Sequence, residues 1–205
     1  GLLELGFAPQ WIMVMGESAG GNLTLGLLMR LKRLGLPLPA CAVPISPVTE
    51  LARMHAPPAR VINIRRDPMI PLHTMWRMHM LYVGGLDGSD PEISPLYGDY
   101  RGLPPLYITV CDHECLRDDA YAVEAKALAA GVPVTLLSRP DLFHVWPIFA
   151  PLLPEAREDL PRIANFIRGA GRNAHLRNVV ALNAGGASTL AAAAPGSSAA
   201  SFSSR

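Results

Sequence analysis

The chain has 205 residues, half of them hydrophobic, and a formal net charge of +1. That length suits one ordinary α/β domain with a sizeable core, and the near-neutral balance, with no basic stripe and no aromatic–basic interleaving, argues against a nucleic-acid partner. No apolar stretch approaches the roughly 18–20 residues needed to span a bilayer. The three cysteines, Cys41, Cys111 and Cys115, build no disulfide framework and lack the further ligands of a zinc site, so a reducing, cytoplasmic setting is expected.

The chain opens at Gly1 on residues (Leu2 to Gly6) that read as the end of a helix, so the expectation is a fragment whose first strands, and any targeting signal, lie upstream. The apolar run Trp11-Ile12-Met13-Val14-Met15 predicts a buried parallel strand. It runs directly into Gly16-Glu17-Ser18-Ala19-Gly20-Gly21, a G-x-S-x-G sequence between a strand and a helix, which is the context of a nucleophile elbow. Such a turn strains the serine backbone, so its neighbours must be small. Gly16 and Gly20 meet that need, while Ala19 and Gly21 let the helix start close to the strand. Ser18 is the candidate nucleophile. The Ala19 N–H, at the positive end of the helix dipole, is the candidate oxyanion donor.

The following helix is expected over Ser18 to Leu34, with Leu23, Leu27, Leu28, Leu31 and Leu34 at core spacing and Gly35 and Pro37 as its stop. Ala40 to Ile45 reads as a second buried strand, with Pro44 marking a strand end or a distortion. Residues 49–85 break the pattern. They hold Pro57-Pro58, Arg65-Arg66 and a helical run carrying Met69, Met75, Trp76, Met78 and Met80, which fits either a substrate-facing cap or an ordinary amphipathic helix. Residues 86–105 read as loop. Leu106 to Cys111 is a third strand, Ala120 to Ala130 a helix with Asp118 and Asp119 as caps, and Val132 to Ser138 a fourth strand. A final helix spans Glu155 to Arg168 and includes Pro161. Strands alternating with helices imply a doubly wound, mostly parallel α/β sheet, incomplete at its N-terminal side. Residues 1–170 thus form the catalytic part. Residues 171–205, with ten alanines, six serines, four glycines and no acidic residue, read as a low-complexity, disordered tail.

A serine nucleophile needs a base, and the base needs an acid to orient it. His144 follows the fourth strand and precedes the last helix, the place where the third member of a serine–acid–histidine order belongs. His55, His73 and His79 fall in the irregular insert, His113 beside the third strand and His175 in the tail. Two carboxylates, Asp112 and Glu114, follow the third strand, and either can serve as the acid.

Taken together, GESAGGNL, SPLYGD, LPPLYI, ECLRDDA and LFHVW resemble the hormone-sensitive-lipase-like branch of α/β-hydrolases, the fold-3 carboxylesterases, over about residues 1–169. The resemblance implies an α/β-hydrolase fold, no metal or organic cofactor, and a small-molecule ester of short to medium acyl chain as substrate. It implies residues 49–85 as part of a cap and a homodimer as a common assembly. In that family the acid opens an Asp-Pro-Leu-x-Asp-(Asp/Glu) motif about thirty residues before the histidine. Leu116-Arg117-Asp118-Asp119 matches its later part, which puts Glu114 in the acid's place and favours it over Asp112. The family's His-Gly-Gly-Gly oxyanion segment is not in this chain, and losing one oxyanion donor costs on the order of 10²–10³ in kcat. The chain alone is therefore expected to fold poorly and turn over little. The fold also serves amidases, peptidases and, in plant gibberellin receptors, binding without hydrolysis, where the histidine is lost; here His144 is present.

Overall fold

A computed structural model of the chain describes residues 1–53 and 57–190, with backbone only at 72–74, 78 and 174–190. His55 and the tail from 191 lie outside the described residues, as do the side chains of His73, Met78 and His175. Four strands, β1 (Met13–Glu17), β2 (Cys41–Ile45), β3 (Leu106–Cys111) and β4 (Val134–Arg139), make one sheet in the order β1-β2-β3-β4, with every neighbouring pair parallel. Between them run α1 (Ala19–Arg33), α2 (Ala59–Ile62), α3 (Leu72–Val83) and α4 (Arg117–Ala129), and α5 begins at Pro154.

Side chains of β2 and β3 alternate between two cores, as the two-residue period of a strand requires. Ala42, Leu106, Ile108 and Val110 pack on Leu25 and Leu28 of α1 and on Ala120, Val123 and Ala127 of α4. Val43, Ile45 and Tyr107 face the other way, onto Ile163 and Phe166 of α5. Helices thus cover both faces, the doubly wound arrangement expected.

Several expectations are corrected. The first strand is not fully buried. Pro9 starts a 3₁₀ turn that carries Trp11 out of the strand, and β1 forms one edge of the described sheet with Met15 half exposed. Of the expected stripe on α1, Leu28 is buried, but Leu23 and Leu27 are exposed, Leu31 is partly so, and Leu34, just past the helix end, is exposed; Leu25 and Met29 complete the core face with Leu28. Pro44 ends nothing. It sits inside β2, which keeps five paired positions with β1 but only two with β3 (at Ala42 and Ile45), consistent with a residue that has no N–H to donate. Helix α5 runs from Pro154 to Leu190, past the expected end at Arg168.

Asp118 and Asp119 sit in the first turn of α4 but do not cap it. Asp118 Oδ2 accepts the Ala59 N–H of α2 at 2.7 Å. Asp119, fully buried, accepts the N–H groups of Thr49 and Glu50 at 2.7 and 2.9 Å and pairs with the equally buried Arg60 at 2.7 Å. Both carboxylates therefore tie the insert to α4.

At the first turn, a Cβ on Gly16 would overlap the Gly20 carbonyl, and one on Gly21 would stand 2.8 Å from Pro47 Cβ. A Cβ on Gly20 meets nothing nearer than 3.8 Å. Gly20, then, is not required to be small, unlike its two partners. Gly16→Ala is expected to destabilise the fold by about 1–3 kcal/mol or more through overpacking. Gly20→Ala, inside a helix, should be neutral or stabilising by up to about 1 kcal/mol. Urea unfolding midpoints of the two variants check this.

Candidate active site

Parallel strands bring their C-terminal ends to a single edge, where ligand sites of open α/β sheets form. Ser18, Ser46, Asp112 to Glu114 and the segment ending in His144 all follow strand ends there. Ser18 links β1 to α1 with φ 54° and ψ −114°. Its N–H donates to the Ile45 carbonyl at 2.8 Å, and its carbonyl accepts from Asn22 and Val48 N–H. Those bonds hold a backbone conformation that a non-glycine residue rarely adopts. Ala19 is the first residue of α1, so its N–H is one of those a helix cannot satisfy internally.

Ser18, Ala19 and His144 line one cavity of about 390 Å³. Its remaining wall is mainly apolar and comes largely from the insert, including Leu51, Met69, Ile70, Met75 and Tyr82.

Behind His144 lies Glu114. Its side chain is fully buried, and its Oε2 stands 3.4 Å from His144 Nδ1. Burial raises the Glu114 pKa above the ordinary glutamate value, opposed by the hydrogen bond and charge of His144 and by Ser46. Asp112, the alternative acid, is engaged elsewhere: its Oδ1 accepts the Tyr121 and Ser138 hydroxyls, both at 2.9 Å. The geometry brings Glu114, and not Asp112, to the imidazole.

The supporting shell had no signal in the sequence. Asn63 Nδ2 donates to the carbonyls of Asp112 (2.9 Å) and Glu114 (3.0 Å), and Asp67 Oδ2 accepts the Cys115 N–H at 2.8 Å. The other Asp67 oxygen accepts the N–H groups of Met69 and Ile70, so the insert grips the acid loop and the cavity wall together. After His144, the Trp146 indole N–H donates to Asp159 of α5 at 3.0 Å, and Asp159 also holds Arg139 at the end of β4. Asn22, buried in α1, ties the loops at Val48 and Ile93 to the turn after Ser18. His79 of α3 also reaches the cavity, stacked on Trp76 at 6.0 Å between ring centres; burial lowers its pKa, with Arg60 acting in the same direction. The described residues include three non-glycine positions with positive φ, Ser18, Ser46 and Val145, and all three adjoin this site.

A family model described as alpha/beta hydrolase fold matches residues 2–148. The chain is 41% identical over 169 residues to an acetyl-hydrolase of Streptomyces hygroscopicus, an alignment covering 82% of this chain and 56% of that protein. It is 37% identical to esterase LipU of Mycobacterium tuberculosis, covering 81% of this chain and 57% of the relative. Among solved structures, it superposes on the esterase EstE5 with a TM-score of 0.80 at 38% identity, covering 83% of this chain and 57% of that one. An esterase from the bacterial hormone-sensitive lipase family gives 0.77 at 39% identity, covering 82% and 56%. The chain thus spans little more than half the length of these relatives. Among the described residues, no helix is long and apolar enough to cross a membrane.

A buried carboxyl with a raised pKa keeps its proton longer in the folded state than in the unfolded one. Stability should therefore fall as pH rises from the ordinary glutamate value through the folded one. Glu114→Gln is expected to flatten that slope. Chemical unfolding of both proteins between pH 4 and pH 8 reads the difference directly.

Proposed function

Because the chain belongs to the α/β-hydrolase-fold family, in its hormone-sensitive-lipase-like branch, we propose that the protein is a serine carboxylesterase using Ser18, His144 and Glu114. The observation that carries this reading is a buried Glu114–His144 contact set behind a cavity that Ser18 also lines. Ser18 Oγ attacks the ester carbonyl while His144 takes its proton. The negative charge that grows on the carbonyl oxygen is met by the Ala19 N–H at the start of α1. His144 then passes its proton to the departing alcohol, and a water molecule, activated by the same imidazole, releases the acid from Ser18. Glu114 holds the imidazole by Nδ1 and stabilises it while it is charged.

The cavity's apolar wall suits the acyl portion of a small ester, of short to medium chain, with residues 49–85 as the cap that encloses it. No cofactor has a part in this chemistry. The names of two relatives, an acetyl-hydrolase and an esterase, are in keeping with this reading.

Hydrolysis of p-nitrophenyl butyrate by the polypeptide its gene encodes in full tests the reading. Ser18→Ala is expected to abolish turnover, and Glu114→Gln to lower kcat by on the order of 10³–10⁴. Asp112→Asn should stay near wild type. A folded protein without Ser18-dependent hydrolysis would move the assignment to an amide-directed or purely binding member of the fold.

A further inference from the structure

Ser46 is the first residue after β2, one strand over from Ser18 and level with it, since Glu17 pairs with Ile45. It is completely buried and lines no part of the cavity. Its hydroxyl donates to Glu114 Oε2 at 2.9 Å and accepts the N–H of Val145, the residue after His144, at 3.2 Å. A single oxygen atom thus joins the loop that carries the acid to the loop that carries the base. The other Glu114 oxygen, Oε1, is buried, and among the described residues the Ser46 hydroxyl and the His144 ring are the two side-chain groups that meet this carboxylate.

The backbone adds an independent argument. Ser46 has φ 45°, and Val145 has φ 56°, a conformation that is a genuine outlier for a β-branched residue. Glycine would occupy position 46 without strain. A serine there gives up that ease, and among the described residues its side chain bonds only to the acid and base loops.

Resting on the esterase reading above, we propose that Ser46 is a positioning residue of the catalytic set: it aims the Glu114 carboxylate at His144 and locks the His144 loop against it. It touches neither substrate nor reacting atoms, so its effect is on kcat and not on KM. With the hydroxyl gone, the carboxylate loses a charge-assisted hydrogen bond and becomes easier to protonate. The acid side of the pH–rate profile then moves to higher pH. The groups facing Glu114 that enter this balance are His144, Cys111 at the end of β3 and Cys115 on its own loop, with Asp67 and Arg60 of the insert acting on Cys115 from behind.

The test compares Ser46→Ala, which keeps the strain, with Ser46→Gly, which removes it, in the full polypeptide. Both lack the hydroxyl. Each is expected to lower kcat for p-nitrophenyl butyrate by about 10- to 100-fold, the rate equivalent of one hydrogen bond to a charged group. KM should hold, and the acid limb should shift upward equally in both. Ser46→Thr, which retains a hydroxyl, restores part of the rate. If activity instead tracks stability, with the glycine variant near wild type, Ser46 is a structural residue and the proposal fails. A readout free of turnover separates this from the esterase reading. The low-field proton resonance of His144 Nδ1–H bound to Glu114 should be lost in both hydroxyl-free variants. Its persistence there overturns the role of Ser46 whether or not esters are hydrolysed; absence of Ser18-dependent turnover with that resonance lost overturns the esterase reading alone.

Discussion

Four strands running in one direction, in a continuous register, are the constraint from which the site follows. Pairing of Glu17 with Ile45, of Ile45 with Thr109 and of Thr109 with Leu137 sets the ends of β1 and β2 level, with β3 and β4 running two residues further to Cys111 and Arg139. Every chain segment leaving the sheet does so at this edge, so residues 126 positions apart in sequence, Ser18 and His144, line one cavity. The first two exits are both strained. Ser18 and Ser46 each turn with positive φ, and the Ser18 N–H is held by the Ile45 carbonyl while the Ser46 N–H is held by Thr109. Local strain of about 1–3 kcal/mol per residue persists only where the surroundings over-determine it. Here a sheet that is packed on both faces supplies that rigidity.

Charge and hydrogen bonds hold the insert over this edge, beside an apolar cluster of Leu51, Val83 and Ile93. Arg60 and Asp119 are both buried, and Arg60 also donates to the Glu50 carbonyl at 2.7 Å. Breaking such a pair by removing one partner costs about 3–5 kcal/mol, although the intact pair adds little net stability. Its value is in specifying one arrangement. Asn63 and Asp67 extend the same logic to the acid loop, where side chains satisfy backbone groups that no strand or helix reaches. The result couples the cavity wall at Met69 and Ile70 to the backbone beside Glu114.

Glu114 carries the cost of its position. A carboxylate in full burial is costly, and its Oε1 has no hydrogen-bond partner among the described residues. The other oxygen meets the His144 imidazole at 3.4 Å and the Ser46 hydroxyl at 2.9 Å. The strained residues nearby, Ser18, Ser46 and Val145, are a second cost at the same place, where local preference and global structure disagree.

Strand and helix periodicity determined most of the fold from the sequence alone. Leu106–Cys111 forms a strand with the expected ends, because both its faces are buried and its pattern is continuous. The G-x-S-x-G turn was legible for the same reason, being a local sequence that dictates a local conformation. The spacing between Glu114 and His144 was legible through a family likeness and not through physics. Tertiary structure decided the rest. Which leucines of α1 face the core depends on how the helix sits on the sheet, and α1 turns Leu25 and Leu28 inward while leaving Leu23 at the cavity. Asp118 and Asp119 read as helix caps because a first-turn carboxylate usually is one; the folded chain brings α2 and Arg60 to them instead. Ser46 and Asn63 carry no local pattern, and the Asp67 turn at Met69 and Ile70 gives no hint of its other bond; the partners of all three at the acid loop are at least 48 residues away. Hydrogen bonds of that reach exist only after the sheet has closed the distance, which is why no reading along the chain finds them.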